Sequence, residues 1–253
     1  MSASTTRFDY VIVGAGSAGC VLANRLSEDG RYTVLLLEAG PRDTYPWIHI
    51  PIGYAKTMFH PVLNWGFYTE PEPTMNGRKV YWPRGRTLGG SSAINGLIVI
   101  RGQRADYDGW AASGNAGWRY ADVLPWFRKL EHNVRGASEY HGADGPLWAS
   151  DIGAPHPLVE AMIAGAGELG IPRNDDFNGA TQEGAGYYQL STRRGRRCST
   201  AVAYLKPART RPNLRTETNA HATRVLVEDR RATGVTYLQA GVERTAFARR
   251  EVI

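Results

Sequence analysis

The apolar residues of this chain fall in short blocks whose spacing changes along its length. Phe8–Val13 (FDYVIV) is a compact run of aromatic and β-branched residues, which predicts a buried strand. In CVLANRLSEDG the apolar positions Val21, Leu22 and Leu26 recur at helical spacing, and Asp29-Gly30 supplies a turn. YTVLLL then predicts a second strand that ends at Glu38. Residues 40–82 are rich in proline and aromatics but have little periodicity, so an excursion between core elements is expected there. Helical pieces are expected in DYDGWAASGNAGWRYADVLPWFRKL, the last with Asp122 as its N-cap and Pro125 in its first turn. Another helix should follow Pro155-His156-Pro157, with Leu158, Met162 and Leu169 on one face and Gly170 as its stop. His156 is expected to cap that helix or lie on the surface. The alternation Tyr187, Gln189, Ser191 predicts a strand, TRRGRR a turn, and Cys198–Leu205 the start of a helix. From Asn213 the chain predicts a β-meander, broken at Asp-Arg-Arg and Gln-Ala-Gly.

The first forty residues thus read as strand, tight glycine turn, helix, strand, acid. GAGSAG places Gly14, Gly16 and Gly19 in the G-x-G-x-x-G spacing. Gly14 permits the turn, Gly16 lets main chain approach a pyrophosphate, and Gly19 lets the helix pack on the strand. The helix N-terminus offers unpaired N–H groups and the positive end of a dipole to phosphate, with Ser17 of the glycine turn also counted as cofactor-binding. Glu38 stands 24 positions after Gly14, where it can accept hydrogen bonds from ribose hydroxyls, with Ala39 beside it. The acid argues against a 2′-phosphate and hence against NADP, but does not separate NAD from FAD.

Composition narrows the picture little. The 253 residues, 42% hydrophobic and 21% charged, suit one large globular domain or two ordinary ones. The longest clean apolar stretches, Val34–Leu37 and Leu97–Ile100, are strand-sized, far short of the roughly 20 residues of a membrane span. MSASTTRFDY has no secretory pattern. Cys20 and Cys198 lie outside any Cys/His cluster, so neither a metal nor a disulfide is expected. A cytoplasmic setting fits, with peripheral attachment at the inner membrane as its variant. The net charge of +6 comes mainly from arginines after residue 190, in TRRGRR, ARTRPNLR, EDRRA and ARR. No nucleic-acid motif accompanies them and aromatics do not interleave with them, so a nucleic-acid partner is not expected.

A second glycine-rich stretch, PRGRTLGGSSAINGLIV at 83–99, runs straight into the apolar segment Leu97–Ile100. Buried main chain needs partners, and bare backbone can lie close to a flat ring. Taken with GAGSAGCVLANRLSED before it and DYDGWAASGNAGW, GPLWASD, DFNGATQEGAGYYQ and RRGRRCSTAVAYLKPARTRPNL after it, this stretch resembles the glucose–methanol–choline (GMC) oxidoreductase family, bacterial choline-dehydrogenase-like members above all. The resemblance covers the whole chain.

It implies an α/β fold: a Rossmann-like FAD-binding domain of the GMC type with part of an α+β substrate-binding domain. Residues 1–150 would form the first part of the FAD domain, with a flavin-covering excursion at 40–82. Residues 151–210 would belong to the substrate domain, with Tyr187, Tyr188 and Gln189 either facing the substrate pocket or covering the back of its sheet. Residues 211–253 would return to the FAD domain, the meander lying over adenine and main chain near Ala222 hydrogen-bonding it. Arg86, Leu88, Gly89, Gly90 and Ser91 would lie along the pyrophosphate and flavin edge, and Asn95, Gly96, Leu97 and Ile98 along the ring. Some members tether flavin through a histidine of this loop; the matching position here is Ile94, so non-covalent FAD is expected.

The implied activity is oxidation of a primary alcohol, choline-like, aliphatic or aromatic, with hydride passing to flavin and onward to oxygen or a quinone. The second glycine-rich family signature and the catalytic pair (a histidine with a histidine or asparagine) lie in a C-terminal half that this sequence does not contain. The chain therefore reads as an N-terminal part, with no strand returning to the sheet after RREVI and no catalytic residue assigned. The competing reading is a catalytically inert dinucleotide-binding fragment.

Overall fold

The computed structural model describes residues 6–253. The chain divides into two compact units, residues 1–96 with 196–253, and residues 97–195. The bounds expected at 150 and 210 do not coincide with these units.

The first unit is built on a six-stranded sheet. Its strands are β1 (Thr6–Val13), β2 (Val34–Leu37), β3 (Leu214–Glu217), β4 (Ala220–Glu228), β5 (Arg231–Gln239) and β6 (Val242–Val252). Their spatial order is β4-β5-β6-β1-β2-β3. β1, β2 and β3 are parallel to their neighbours, with Tyr10 opposite Val34 and Val34 opposite Leu214. Helix α1 (Ser17–Leu26) makes the crossover from β1 to β2. β2 reads VLLL without alternation, and all four residues are buried, as befits a parallel strand covered on both faces. Phe8, Val11, Leu35, Leu37, Val235 and Tyr237 form the core on one of those faces.

Here one expectation is corrected. β6 does return to the sheet: it pairs parallel with β1, from Thr6 opposite Ala246 to Val11 opposite Val252. The Ile253 N–H donates to Val11 and the Val13 N–H donates to Ile253. The β-rich run ending in RREVI is itself the returning strand. The meander appears as expected, its turns made by Asp229-Arg230 and Ala240-Gly241, all four with positive φ.

The excursion at 40–82 is ordered by short elements. Pro46–His49 and Tyr54–Thr57 are single helical turns, and Phe67–Tyr68 pairs antiparallel with Tyr81–Trp82. Ile48 and Leu63 bury against Ala93 and Ile94 in a second core cluster. Cys198–Leu205 was expected to start a helix; the stretch Ala201–Leu205 is a π-helix that leads into Lys206–Ala208.

The second unit carries three helices, α2 (Arg104–Ala112), α3 (Tyr120–Leu130) and α4 (Pro157–Glu168). Asp122 does not cap α3. Arg119 is the N-cap, and Asp122 accepts its N–H at 3.1 Å from the third helical position, which puts Pro125 mid-helix. A carboxylate satisfies a free N–H from either place, so the sequence cue is ambiguous. His156 caps α4, its ring accepting from Leu158 N–H at 3.2 Å. Leu158, Met162 and Leu169 share a face as expected, but that face is exposed. The alternating run at Tyr187–Ser191 is no ladder: Leu190 forms isolated bridges to Ile98 and Ser150.

Gln189 is buried in a polar network at the short parallel pair Glu131–Asn133 and Leu147–Ala149. His141 lies at its centre, 2.9 Å from Asp176 Oδ2 and 2.9 Å from Glu131 Oε2, while Arg101 also reaches Glu131 at 2.9 Å. The hydrogen bonds to Asp176 and Glu131 push the imidazole up to about 9, so it is charged at neutral pH.

Candidate functional site

The two glycine-rich stretches of the sequence meet at the end of β1. Gly14 has φ +95°, a left-handed conformation that favours glycine, and its N–H donates to Leu37. The next carbonyl, Ala15, accepts the Gly89 N–H at 2.7 Å. A Cβ placed on Gly90 would sit 2.7 Å from Gly16 Cα, and one on Gly19 would sit 1.9 Å from the Gly14 carbonyl oxygen. A Cβ on Gly40 would likewise sit 1.9 Å from the Arg86 carbonyl oxygen, and one on Gly85 2.1 Å from the Gly90 carbonyl oxygen. Main chain thus packs on main chain at four places, and no side chain fits between. Gly16 is different: a Cβ there would meet nothing within 4 Å.

Helix α1 begins at that open glycine. Its N-cap, Gly16, supplies no side-chain hydrogen bond, and no acidic residue stands in its first turn. The first-turn N–H groups and the positive dipole end are left for an anion. Glu38, at the end of β2, is buried and faces the same turn. Its Oε2 accepts the Ala15 N–H at 2.9 Å and its Oε1 accepts the Gly40 N–H at 2.8 Å. Burial raises its pKa, against the pull of the Gly40 and Ala15 N–H groups and of Arg86.

Over these elements lies a cavity of about 710 Å³, all of it within the first unit. Gly14, Gly16, Ser17, Glu38 and Ala39 line one side of it, and Gly90, Ser91 and Ala222 also border it. Of the sequence-predicted site residues, these eight come together. Gly19, Arg86, Leu88 and Gly89 do not border the cavity, although the Arg86 guanidinium lies over Trp65, which does. Asn95 and Gly96 follow on the same loop but do not border it, and Leu97 and Ile98 belong to the second unit.

The site also has an aromatic wall, of which sequence reasoning singled out Trp65 but not Phe67 or His221. Trp65 stacks on Phe67 with centroids 5.8 Å apart and planes 6° apart, and His221 meets the Trp65 ring edge-on at 5.5 Å. The Arg86 guanidinium lies 5.0 Å over Trp65, and its buried Nε has no hydrogen-bond partner. Trp65, Phe67 and His221 border the cavity. Trp65 does carry a sequence signal, the Asn-Trp-Gly context it shares with the family's flavin-covering segment, whereas His221 lies in no motif and merely adjoins Ala222.

The donor set fits a dinucleotide: close main-chain approach, an uncapped helix start, a buried acid, flat aromatic surfaces and an orphaned guanidinium N–H. The βαβ unit and this cavity define a dinucleotide-binding domain. Residues 8–253 match the family model described as GMC oxidoreductase. The chain belongs to the GMC oxidoreductase family.

Relatives and solved structures agree. The chain is 52% identical to an alcohol dehydrogenase [acceptor] of Pseudomonas putida, over 92% of this chain and 42% of that protein. It is 46% identical to the mitochondrial choline dehydrogenase of Mus musculus, over the whole chain and 44% of that protein. Among solved structures, pyridoxine 4-oxidase from Mesorbium loti superposes with a TM-score of 0.90 at 34% identity, over 95% of this chain and 48% of that one. A formate oxidase of Aspergillus oryzae, carrying a mutation studied for its effect on FAD modification, superposes with a TM-score of 0.89 at 29% identity, over 100% and 46%. The chain therefore spans less than half the length of the relatives it matches. Among the described residues no helix is long and apolar enough to cross a membrane, and no group of side chains is arranged to hold a metal ion.

Proposed function

We propose that this chain holds FAD non-covalently and is the cofactor-binding part of an oxidoreductase that oxidises a primary alcohol, choline-like, aliphatic or aromatic. The observation that carries the reading is the meeting of the two glycine-rich stretches, Gly89 N–H on Ala15 C=O and Gly90 against Gly16, at the mouth of one cavity. Membership of the GMC family and the likeness to alcohol and choline dehydrogenases support it. When bound, FAD supplies the acceptor for hydride from the alcohol carbon.

The chain's own residues bind and orient. Gly14, Gly16, Ser17 and the start of α1 take the pyrophosphate, aided by Arg86, Leu88, Gly89, Gly90 and Ser91. Gly19 brings the helix onto the sheet. Glu38 and Ala39 meet the ribose, with the carboxylate already aimed by two N–H groups. Main chain at Ala222 takes the adenine. Asn95, Gly96, Leu97 and Ile98 follow the ring. Ile94, buried in the second core cluster, carries no group for a covalent link. In this reading residues 1–150 and 211–253 serve the cofactor and 151–210 the substrate. The setting is cytoplasmic, in keeping with two buried cysteines that form no disulfide among the described residues. Oxygen or a quinone takes the electrons onward.

The test is titration of the purified chain with FAD, followed by flavin fluorescence quenching, and then addition of choline or a simple alcohol under anaerobic conditions. Saturable quenching supports the cradle. Bleaching of the flavin band by alcohol would place catalysis within these residues, and its absence would leave the chain an inert cradle. Lack of FAD binding by a folded chain sinks the reading.

A further inference from the structure

Arg197 is the bulkiest of the fully buried side chains, at 2% exposure. Among the described residues no carboxylate pairs with it. Its charge is met instead by oxygens of neutral groups: Nε donates to Ile48 O at 2.8 Å, and Nη1 to Ser92 O at 3.2 Å and Asn95 Oδ1 at 2.9 Å. Nη2 donates to Asn95 O at 2.8 Å. A guanidinium so placed is retained only if the surrounding dipoles are held pointing at it. Burial lowers its pKa to about 10, which leaves it charged at neutral pH. Three of the four bonds fall on the loop that directly follows Gly90 and Ser91. Thr200, three residues on, grips the same loop: its N–H donates to Ser92 Oγ at 3.0 Å.

The Asn95–Gly96 peptide is trans, like every described peptide bond. Its C=O and N–H therefore point in opposite directions. With the Asn95 carbonyl drawn inward onto Arg197, the Gly96 N–H is turned away from the core. Gly96 is exposed, a Cβ there would meet nothing within 4 Å, and its N–H finds no acceptor among the described residues.

We propose that Arg197 is a positioning residue: it locks and polarises the Asn95–Gly96 peptide so that the Gly96 N–H stands ready to donate to an electron-rich edge of the bound cofactor. This rests on the reading that the chain holds FAD with its ring along residues 95–98. A fixed N–H backed by a buried cation stabilises charge that grows on the ring during reduction, as an oxyanion hole does.

The experiment compares wild type, R197K, R197M, G96P and R197M/G96P. FAD affinity, the visible spectrum and the midpoint potential of the bound flavin are measured, with thermal melts to separate folding. Wild type should take up FAD. R197M and G96P should each weaken the preference for reduced over oxidised flavin about tenfold, a downward shift of ~30 mV for a two-electron couple. R197K should lie between, and the double variant should fall no further than either single one, because both remove the same donor. G96P removes an exposed N–H, and it also fixes φ at 96 and restricts Asn95, so its melt must first match wild type; a folded G96P then decides the matter even where R197M fails to fold. A G96P protein with wild-type potential and spectrum overturns the proposal alone. A folded wild type that takes up no FAD overturns the underlying reading and this proposal with it.

Discussion

Gly16→Ala separates what the fold needs from what the ligand needs. Gly16 has φ −75° and ψ −162°, a conformation open to alanine, and its new methyl would meet no protein atom within 4 Å. By itself the change should leave the free chain as stable as wild type or raise stability by about 0.4–1 kcal/mol, through a less flexible unfolded state. The methyl would instead occupy the space where a phosphate approaches the uncapped start of α1. Losing one charge-assisted hydrogen bond there costs roughly 1.5–3 kcal/mol. At about 1.4 kcal/mol per tenfold, that is a 10- to 150-fold rise in the Kd for FAD. Gly19→Ala is the contrasting control. Its Cβ would lie 1.9 Å from the Gly14 carbonyl oxygen, so α1 must lift from the turn. It should cost about 1–3 kcal/mol of stability in the free chain. Thermal melts with and without FAD, and fluorescence titrations of both variants, give the comparison. A Gly16→Ala chain that binds FAD as tightly as wild type would show that no ligand phosphate lies there.

Glu38→Ala orphans the buried N–H groups of Ala15 and Gly40, and should cost roughly 2–6 kcal/mol in chemical denaturation even without ligand, at about 1–3 kcal/mol per unmet donor. A loss below 0.5 kcal/mol would mean water replaces the carboxylate. The second unit should weaken in alkali. Bonded to Asp176 and Glu131, His141 is raised from 6.5 to about 9, so its contribution is fully present below about pH 6.5 and is lost as pH rises through about 9. That contribution is on the order of 3 kcal/mol, and His141→Gln should flatten the melting curve against pH over this window. A wild-type melting temperature constant from pH 7 to 9.5 would refute it. Cys20 and Cys198 are buried, and burial pushes the Cys20 thiol up to about 11. Neither should react with a thiol reagent such as dithionitrobenzoate until the chain unfolds; fast labelling of native protein would contradict the packing of α1.

Local chemistry was legible in the sequence, and long-range pairing was not. β1, α1 and β2 follow from periodicity and from three glycines whose jobs are steric, so their places could be read without a structure. The final run reads as β-rich, but nothing near Arg249 says that its partner is β1, more than two hundred positions earlier. The Tyr187–Ser191 alternation failed as a strand because side-chain period says nothing about whether backbone partners lie alongside. At the site, each glycine stretch signalled close approach, yet only the fold shows that Gly90 packs on Gly16. The meeting of Trp65 with His221 was hidden because an edge-on ring contact across 156 positions leaves no local trace.

The two most deeply buried charges of the first unit, Glu38 and Arg197, share one logic. Among the described residues neither forms a close ion pair; each is matched to main chain of the opposite polarity. Glu38 collects the N–H groups of Ala15 and Gly40, while Arg197 collects the carbonyls of Ile48, Ser92 and Asn95. A stretch of glycine-rich loop has almost no side chains with which to hold its own shape, and each glycine adds conformational freedom that folding must remove. Charge-assisted bonds to the backbone are about twice as strong as neutral ones and directional. They fix the loops from behind, so the front can stay bare for a ligand. The carboxylate grips one loop by its donors, and the guanidinium grips the other by its acceptors, which turns the donors of that second loop outward. Substitutions at Glu38 and Arg197 should therefore alter the cavity differently: the first by releasing the glycine turn, the second by letting outward N–H groups swing away.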